Sequence, residues 1–425
     1  VTIDLSTPIP PPTLRRPDID RAPAGLRATV AAAVAGGLFR RAVRRLPLRV
    51  EYPDGTVLGQ HPDDRTAPTL VLHRPDDFAA RLGIGGLIGF GESYMAGDWS
   101  APDPAAALTV LAANIEHLVP PVLQTLRGLY VAKHPGSERN TRANSRAHIA
   151  HHYDLSNEFF ALFLDETMTY SSALFPATTP APQWADLAGA QHRKIDRILD
   201  AARVGPGTRL LEIGTGWGAL AVRAAARGAR VRSVTLSAEQ RRLALARIEA
   251  AGVADRVRVD LLDYRLVDGE YDAVVSVEMI EAVGCEYLDI YFRCIEGLLA
   301  PGGRAALQAI TMADHRMHAT RDTYTWIQKY IFPGGFIPSD RLIAETVAAG
   351  TGLRVTQRFS MGEHYAHTLR LWQERFDGYI EEMSALGFDS VFQRMWRFYL
   401  AYAGAGFRSG YLDVEQFVLM RRGEV

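Results

Sequence analysis

The sequence predicts an α/β protein: a doubly wound, largely parallel sheet with added helices, preceded by a smaller α+β unit. Three observations carry that prediction. The apolar run Leu210-Leu211-Glu212-Ile213 ends in closely spaced glycines, Gly214, Gly216 and Gly218, and opens into a helical pattern. Beyond it, β-rich runs alternate with helical segments, the pattern of a parallel sheet with its ligand at the strands' C-terminal ends. A chain of 425 residues is also too long for one ordinary core, so a division into domains is expected.

Composition narrows the class. Hydrophobic content of 48% and charge of 22% fit a globular protein, and a formal net charge of -1 excludes strong overall attraction to nucleic acid or anionic membrane. Any membrane contact has to be local. Cys285 and Cys294, nine apart in a helical pattern, turn to opposite faces, so neither a disulfide framework nor a metal site is expected. A reducing cytoplasm is the simplest setting. No apolar run reaches the ~20 residues that span a bilayer, and the N-terminus lacks a charged-then-apolar signal pattern.

Residues 1–25 are proline-rich, which denies helix and sheet a regular hydrogen-bond ladder and predicts a draped tail. The unit over 26–133 opens with a helix from Ala28 to Leu46 whose end carries Arg40, Arg41, Arg44 and Arg45. That end can be read as a lipid-touching surface or as a solvated face. Leu48–Tyr52 and Thr56–Leu58, joined by Asp54-Gly55, read as a hairpin, and Thr69–His73 as a further strand. Residues 84–99 mix glycines with apolar and aromatic residues, which predicts turning or closely packed backbone. A helix around 105–118 follows, and the polar, basic stretch 134–146 is expected to be the linker.

The second domain, 147–425, is predicted to start with a helix over 186–203 and strands over 208–213, 230–236, 257–262, 271–277 and 304–310. Long helices are expected at 339–350, 367–386 and 390–407, and Val414–Met420 as a last edge strand. In the loop after Ile213, Gly214 and Gly216 let the backbone turn close to a ligand, and Gly218 lets the next helix pack near its strand. Glu-x-Gly-x-Gly-x-Gly is not the dinucleotide spacing; it resembles the first motif of S-adenosylmethionine (SAM) methyltransferases. The bland alternative is a strand-to-helix turn that holds no ligand.

Further motifs carry a more specific resemblance. His152–Phe160, Asp165–Phe175, Thr235-Leu236-Ser237, Glu278–Gly284, Tyr330–Gly335 and His364–Leu369 together resemble the cyclopropane-fatty-acyl-phospholipid synthase family, from about Gly85 to the C-terminus. The stretch 84–99 also looks like the lipid-binding module of its longer members. The resemblance implies SAM against Tyr170, Ser171, Gly214 and Gly216, with Thr235 and Gln240 near the ribose and Leu262 and Asp263 near the adenine. Hydroxyl and amide side chains suit ribose oxygens, and a carboxylate can accept from an adenine amino group. Thr235-Leu236-Ser237 before Glu239-Gln240 reads equally as a helix N-cap.

The chemistry so implied is methyl transfer from SAM to a cis double bond, which leaves a carbocation. Such a site must exclude water, offer aromatic and carboxylate negative potential, and supply one base. Family members hold a bicarbonate as that base with a cysteine, a glutamate, a histidine, an isoleucine and a tyrosine. The counterparts expected here are Ser172, Glu281, Gln308, Ile310 and Tyr330; serine and glutamine replace the cysteine and the histidine. Glu281 is the first choice among the protein's own groups, and Glu278, where many members have glycine, is either catalytic, a simple SAM contact or a surface residue.

The expected activity is therefore SAM-dependent one-carbon addition to unsaturated phospholipid acyl chains, with a methylene-branched (10-methylene stearoyl type) product favoured over a cyclopropane. A non-catalytic lipid-binding protein on a methyltransferase scaffold is the reading from another class, and a small-molecule methyltransferase leaves the N-terminal unit without a reason. The expected setting is the inner face of the membrane, peripheral, without nucleic acid, metal or a transmembrane segment; the oligomeric state is left open by the sequence, a homo-oligomer included.

Overall fold

The computed structural model describes residues 19, 21–115 and 155–423. The linker expected at 134–146, the His152–Asp154 start of one motif and nearly all of the proline-rich tail lie outside the described residues.

The N-terminal elements are α1 (Leu26–Val43), β1 (Arg49–Glu51), β2 (Val57–Leu58), β3 (Thr69–Leu72), α2 (Pro75–Ala96), β4 (Trp99–Ser100) and α3 (Pro104–Ala113). The hairpin forms as expected, with Val50 opposite Leu58, and the sheet order is β2-β1-β3-β4. The glycine-rich stretch 84–99 is mostly helix. It makes up the C-terminal part of α2, kinked where Gly86 takes φ 56° and ψ -131°. Its glycines serve close packing: a Cβ on Gly91 would lie 2.4 Å from the Trp326 ring. Burying Asp98 requires partners, and Arg81 and Arg74 donate to its two oxygens at 3.0 and 2.9 Å.

The larger part continues with α4 (Asn157–Phe163), α5 (Trp184–Ala201), β5 (Arg209–Ile213), α6 (Ala219–Ala226), β6 (Arg230–Thr235), α7 (Ala238–Ala250), β7 (Val257–Leu261), β8 (Tyr271–Val277), α8 (Leu288–Leu298) and β9 (Leu299–Met312). After these come α9 (Asp314–Thr320), α10 (Trp326–Tyr330), α11 (Asp340–Gly350), β10 (Leu353–Ser360), α12 (Gly362–Asp377), α13 (Ile380–Ala385), α14 (Ser390–Arg408) and β11 (Leu412–Arg421). The strands form one seven-stranded sheet in the order β10-β11-β9-β8-β5-β6-β7. From β7 to β9 all neighbours are parallel, whereas β11 runs antiparallel to both β9 and β10.

This is the doubly wound sheet the sequence predicts, with two differences at one side. Leu353–Ser360 is a strand that the sequence reading did not assign, because its buried and exposed positions do not alternate cleanly. As a result β11 is an interior strand, and β10 is the edge. The expected helix 367–386 is two helices, α12 and α13, divided at Gly378-Tyr379.

The central strands are buried on both faces and read as continuous apolar runs for that reason. One apolar core then runs from Val50, Phe90 and Trp99 of the N-terminal elements through Phe398 and Trp396 of α14 to Phe160 and Trp372. Tyr94 and Trp99 meet the Phe398 ring at 5.4 and 6.3 Å between centroids. The strand order reverses at β5, which pairs with β6 on one side and β8 on the other. A ligand crevice belongs beyond the C-terminal ends of strands at such a switch point.

Candidate active site

A cavity lies at that switch point. Its floor is the loop from Gly214 to Trp217, where Gly214 (φ 98°) and Gly216 (φ 51°) adopt backbone that glycine takes without strain. Beneath the loop, the Thr215 hydroxyl meets Ser233 Oγ at 2.7 Å, and Ser233 Oγ donates to Glu212 Oε2 at 2.5 Å. Burial pushes the Glu212 carboxyl up to about 8, so at neutral pH it holds a proton for the most part.

Thr235, Leu236 and Gln240 form the wall beyond β6, with Leu262 and Tyr264 beyond β7. The Thr235 hydroxyl donates to Gln240 Oε1 at 3.1 Å, and its carbonyl accepts from Leu262 N–H at 3.0 Å. The N-cap of α7 is Ser237, whose Oγ accepts from Gln240 N–H, so capping and lining fall to different residues of one motif. The Asp263 carboxylate is turned to Arg265, which donates to both its oxygens at 2.9 and 2.6 Å.

Tyr170 and Ser171 complete the enclosure with aromatic residues around them. Tyr170 stacks on Trp372 at 5.4 Å, lies edge-on to Phe160, and shares a 2.7 Å hydrogen bond with the Tyr399 hydroxyl. Trp217 packs on Phe160 and donates from Nε1 to Asn157 Oδ1 at 2.6 Å. Of these rings Tyr170 and Trp217 line the cavity, an apolar wall that disfavours water.

Of the two glutamates, Glu278 lines the cavity. Glu278 sits just past β8 at φ 48°, a left-handed conformation uncommon for a residue with a side chain. Its Oε1 accepts from Ser172 N–H at 2.9 Å and Gln308 Nε2 at 2.7 Å, and its Oε2 accepts from the Tyr365 hydroxyl at 2.8 Å. Lys194, buried on α5, also faces the cavity; it donates to Ser171 Oγ at 2.5 Å, and burial lowers its ammonium to about 8. Glu281 accepts from Ile310 N–H at 2.5 Å through Oε1, while its Oε2 is buried with no hydrogen-bond partner. Burial first, then the charge of Glu278, pushes the Glu281 carboxyl up to about 8.

The structure thus brings together Ser172, Gln308, Ile310, Glu278 and Glu281, and sends Tyr330 elsewhere. The Tyr330 hydroxyl donates to Glu92 Oε1 of α2 at 2.7 Å, an oxygen that also accepts from Lys329 Nζ at 2.5 Å. The hydroxyl in the carboxylate cluster is that of Tyr365, within the His364–Leu369 motif. Lys194 and Tyr365 had not been singled out by sequence reasoning. The available signal for Lys194 is position: a lysine on the apolar stripe Leu187, Ala190, Ile195, Ile198 of α5 is a buried polar residue that needs a reason.

A sequence model of the family described as mycolic acid cyclopropane synthetase matches residues 140–417. The chain belongs to that family. The mycolic acid cyclopropane synthetase relatives include tuberculostearic acid methyltransferase UfaA1 of Mycobacterium tuberculosis (strain ATCC 25618 / H37Rv), 56% identical over 96% of each chain. Cyclopropane-fatty-acyl-phospholipid synthase of Escherichia coli (strain K12) is 33% identical over 84% of this chain and 89% of its own. Among solved structures, mycolic acid cyclopropane synthase CmaA1 complexed with SAH and CTAB aligns with a TM-score of 0.59 and 33% identity, covering 64% of this chain and 97% of that one. The expectation of a fatty-acyl methyltransferase of this family on a doubly wound sheet is borne out.

Proposed function

We propose that this enzyme transfers the methyl group of SAM to the cis double bond of an unsaturated phospholipid acyl chain and releases a methylene-branched chain. The observation that carries this reading is the cavity itself: Tyr170, Trp217 and the buried carboxyl group of Glu278 line it beside the Gly214–Trp217 loop, a setting that suits a carbocation. SAM lies, in this reading, along Gly214, Gly216, Thr235, Gln240 and Leu262, with its methionine end toward Tyr170 and Ser171. Asp263 acts beside it through Arg265. The branched product rests on the similarity to a tuberculostearic acid methyltransferase over nearly the whole chain. Cyclopropane formation is the second reading, supported by the weaker likeness to the E. coli synthase.

The division of labour follows. Residues 26–133 engage lipid and 147–425 perform the transfer, because a double bond in a bilayer must be brought to a cavity in a water-borne protein. The α1–α2 pair offers the means: Leu26, Val30 and Val34, at helical spacing on α1, are 83%, 58% and 58% exposed, and Leu87 of α2 is 64% exposed. Arg40, Arg41, Arg44 and Arg45 stand exposed near the C-terminal end of α1. Apolar residues with nearby cations suit an anionic lipid surface, and this reading puts the enzyme at the cytoplasmic face. No helix among the described residues is long and apolar enough to cross a membrane.

The test is incubation of the protein with SAM and an oleoyl phospholipid, followed by mass spectrometry of the released acyl chains. A gain of one CH2 is expected, and derivatisation distinguishes methylene from ring. Acyl chains of unchanged mass would return the protein to a lipid-binding role.

A further inference from the structure

The donors around Glu278 fix its state by geometry. Arg197 Nη1 donates to Gln416 Oε1 at 2.6 Å, Gln416 Nε2 donates to Gln308 Oε1 at 3.0 Å, and Gln308 Nε2 donates to Glu278 Oε1. Arginine has no acceptor, so the direction of each amide is forced from that end and the last link must deliver an N–H. Ser172 brings a second N–H to the same oxygen, which leaves it no room for a proton. Tyr365, held far above the ordinary phenol range by burial and by Glu278, adds an O–H to Oε2. A carboxylate has about four lone-pair positions, and these donors take all but one, on Oε2.

A bicarbonate, the anion that the family resemblance implies, does not fit beside this arrangement. The Ser172 amide, the Gln308 amide and the Tyr365 hydroxyl that could hold it are already spent on Glu278. The second carboxyl, Glu281, has one oxygen on Ile310 N–H and the other without a donor, so it sits where the neutral form costs least. Burial raises both carboxyls, but at Glu278 the charge of Lys194 and the three donors oppose it, so the two separate into an anion and an acid.

We infer that Glu278 is this enzyme's built-in proton acceptor, a covalently attached carboxylate standing where a dissolved anion would have to bind, so that the reaction requires no bicarbonate. The inference rests on the methyl-transfer reading above. In the step itself, the alkene's π electrons form a bond to the SAM methyl carbon, the carbon–sulfur bond breaks, and S-adenosylhomocysteine departs. A hydride shift brings the positive charge to the methyl-bearing carbon. The new methyl then gives a proton to the open position on Glu278 Oε2, and the C–H pair becomes the exocyclic double bond. Glu278 returns the proton to solvent after product leaves, and Glu281, already protonated, stays neutral throughout.

The experiment measures CH2 gain on oleoyl phospholipid with SAM in buffer stripped of carbon dioxide, with and without added bicarbonate. The unmodified enzyme is expected to run at the same rate in both. Glu278→Gln is expected to lose on the order of a hundredfold in both, the usual scale for removing a general base. Glu278→Gly suits the left-handed backbone at that position and reopens the anion's place, so it is expected to lose as much without bicarbonate and to recover about tenfold or more with it. SAM binding by calorimetry shows that each variant is folded. An unmodified enzyme that works only with bicarbonate overturns the inference and leaves the methyl-transfer reading standing. Near-normal rates for Glu278→Gln, or a folded Glu278→Gly that bicarbonate does not restore, also overturn it. An unmodified enzyme inert in both buffers removes the methyl-transfer reading and the inference with it.

Discussion

At Gly216 a side chain would meet no protein atom within 4 Å, so added bulk there projects into the cavity and not into the fold. Gly216→Leu is therefore expected to remain folded, at a cost of roughly 1–2 kcal/mol for left-handed backbone, and to weaken SAM binding by more than about tenfold, or ~1.4 kcal/mol. Calorimetric titration of the folded variant checks this, and unchanged affinity would detach the loop from the cofactor. The position was legible in the sequence because glycine spacing after an apolar run has one common cause. Glu278 was legible only as an oddity. That it faces Gln308, Ser172 and Tyr365 depends on pairing between strands and on a distant helix, and no local pattern reports such contacts. Tyr330 illustrates the same limit from the other side: its motif points to the site, yet Glu92 on a different element decides where its hydroxyl goes.

Strands β5 to β8 could be read from the sequence to within one residue at either end, whereas β9 begins five residues before the expected 304. β10 escaped because only its first residue is fully buried. The glycine-rich part of α2 misled in a more instructive way. Glycine lowers helix propensity by roughly 1 kcal/mol, but at Gly91 the missing Cβ is what allows α10 to approach, and packing outweighs propensity. Gly91→Ala should destabilise the protein by about 1–3 kcal/mol through overpacking, and combining it with Trp326→Phe should recover part of that loss. Chemical denaturation of the single and double variants checks the pair; losses that simply add would show that the ring and the helix do not press on each other.

Across the whole molecule, the lipid-facing role rests on two kinds of surface that respond differently to salt. Replacing Arg40, Arg41, Arg44 and Arg45 with glutamine should weaken binding to anionic vesicles at low salt and matter much less at ionic strengths where the screening length falls to ~8 Å. Replacing Leu26, Val30 and Val34 with serine should weaken binding at both, since apolar insertion is not screened. Vesicle sedimentation across a salt series checks both sets, and binding unaltered by either would return α1 to an ordinary solvated helix. The sequence announced the arginines, but not that the apolar residues beside them stay uncovered, because helical spacing alone does not say which face finds a partner.

The position of β11 gives the sheet an order of assembly. Residues 412–421 leave the ribosome after β9 and β10, yet they lie between those strands, so β10 has no partner and β9 none on that side until translation has passed them. Gln416 arrives with β11 directly opposite Gln308. Before it does, the amide of Gln308 has nothing to set its direction, and the carboxylate beyond it lacks one of its three donors. A chain released at residue 411 could fold its glycine loop while β9 remained an open edge, able to recruit a strand from another chain. The proton acceptor is thus readied by the same event that covers the exposed side of β9.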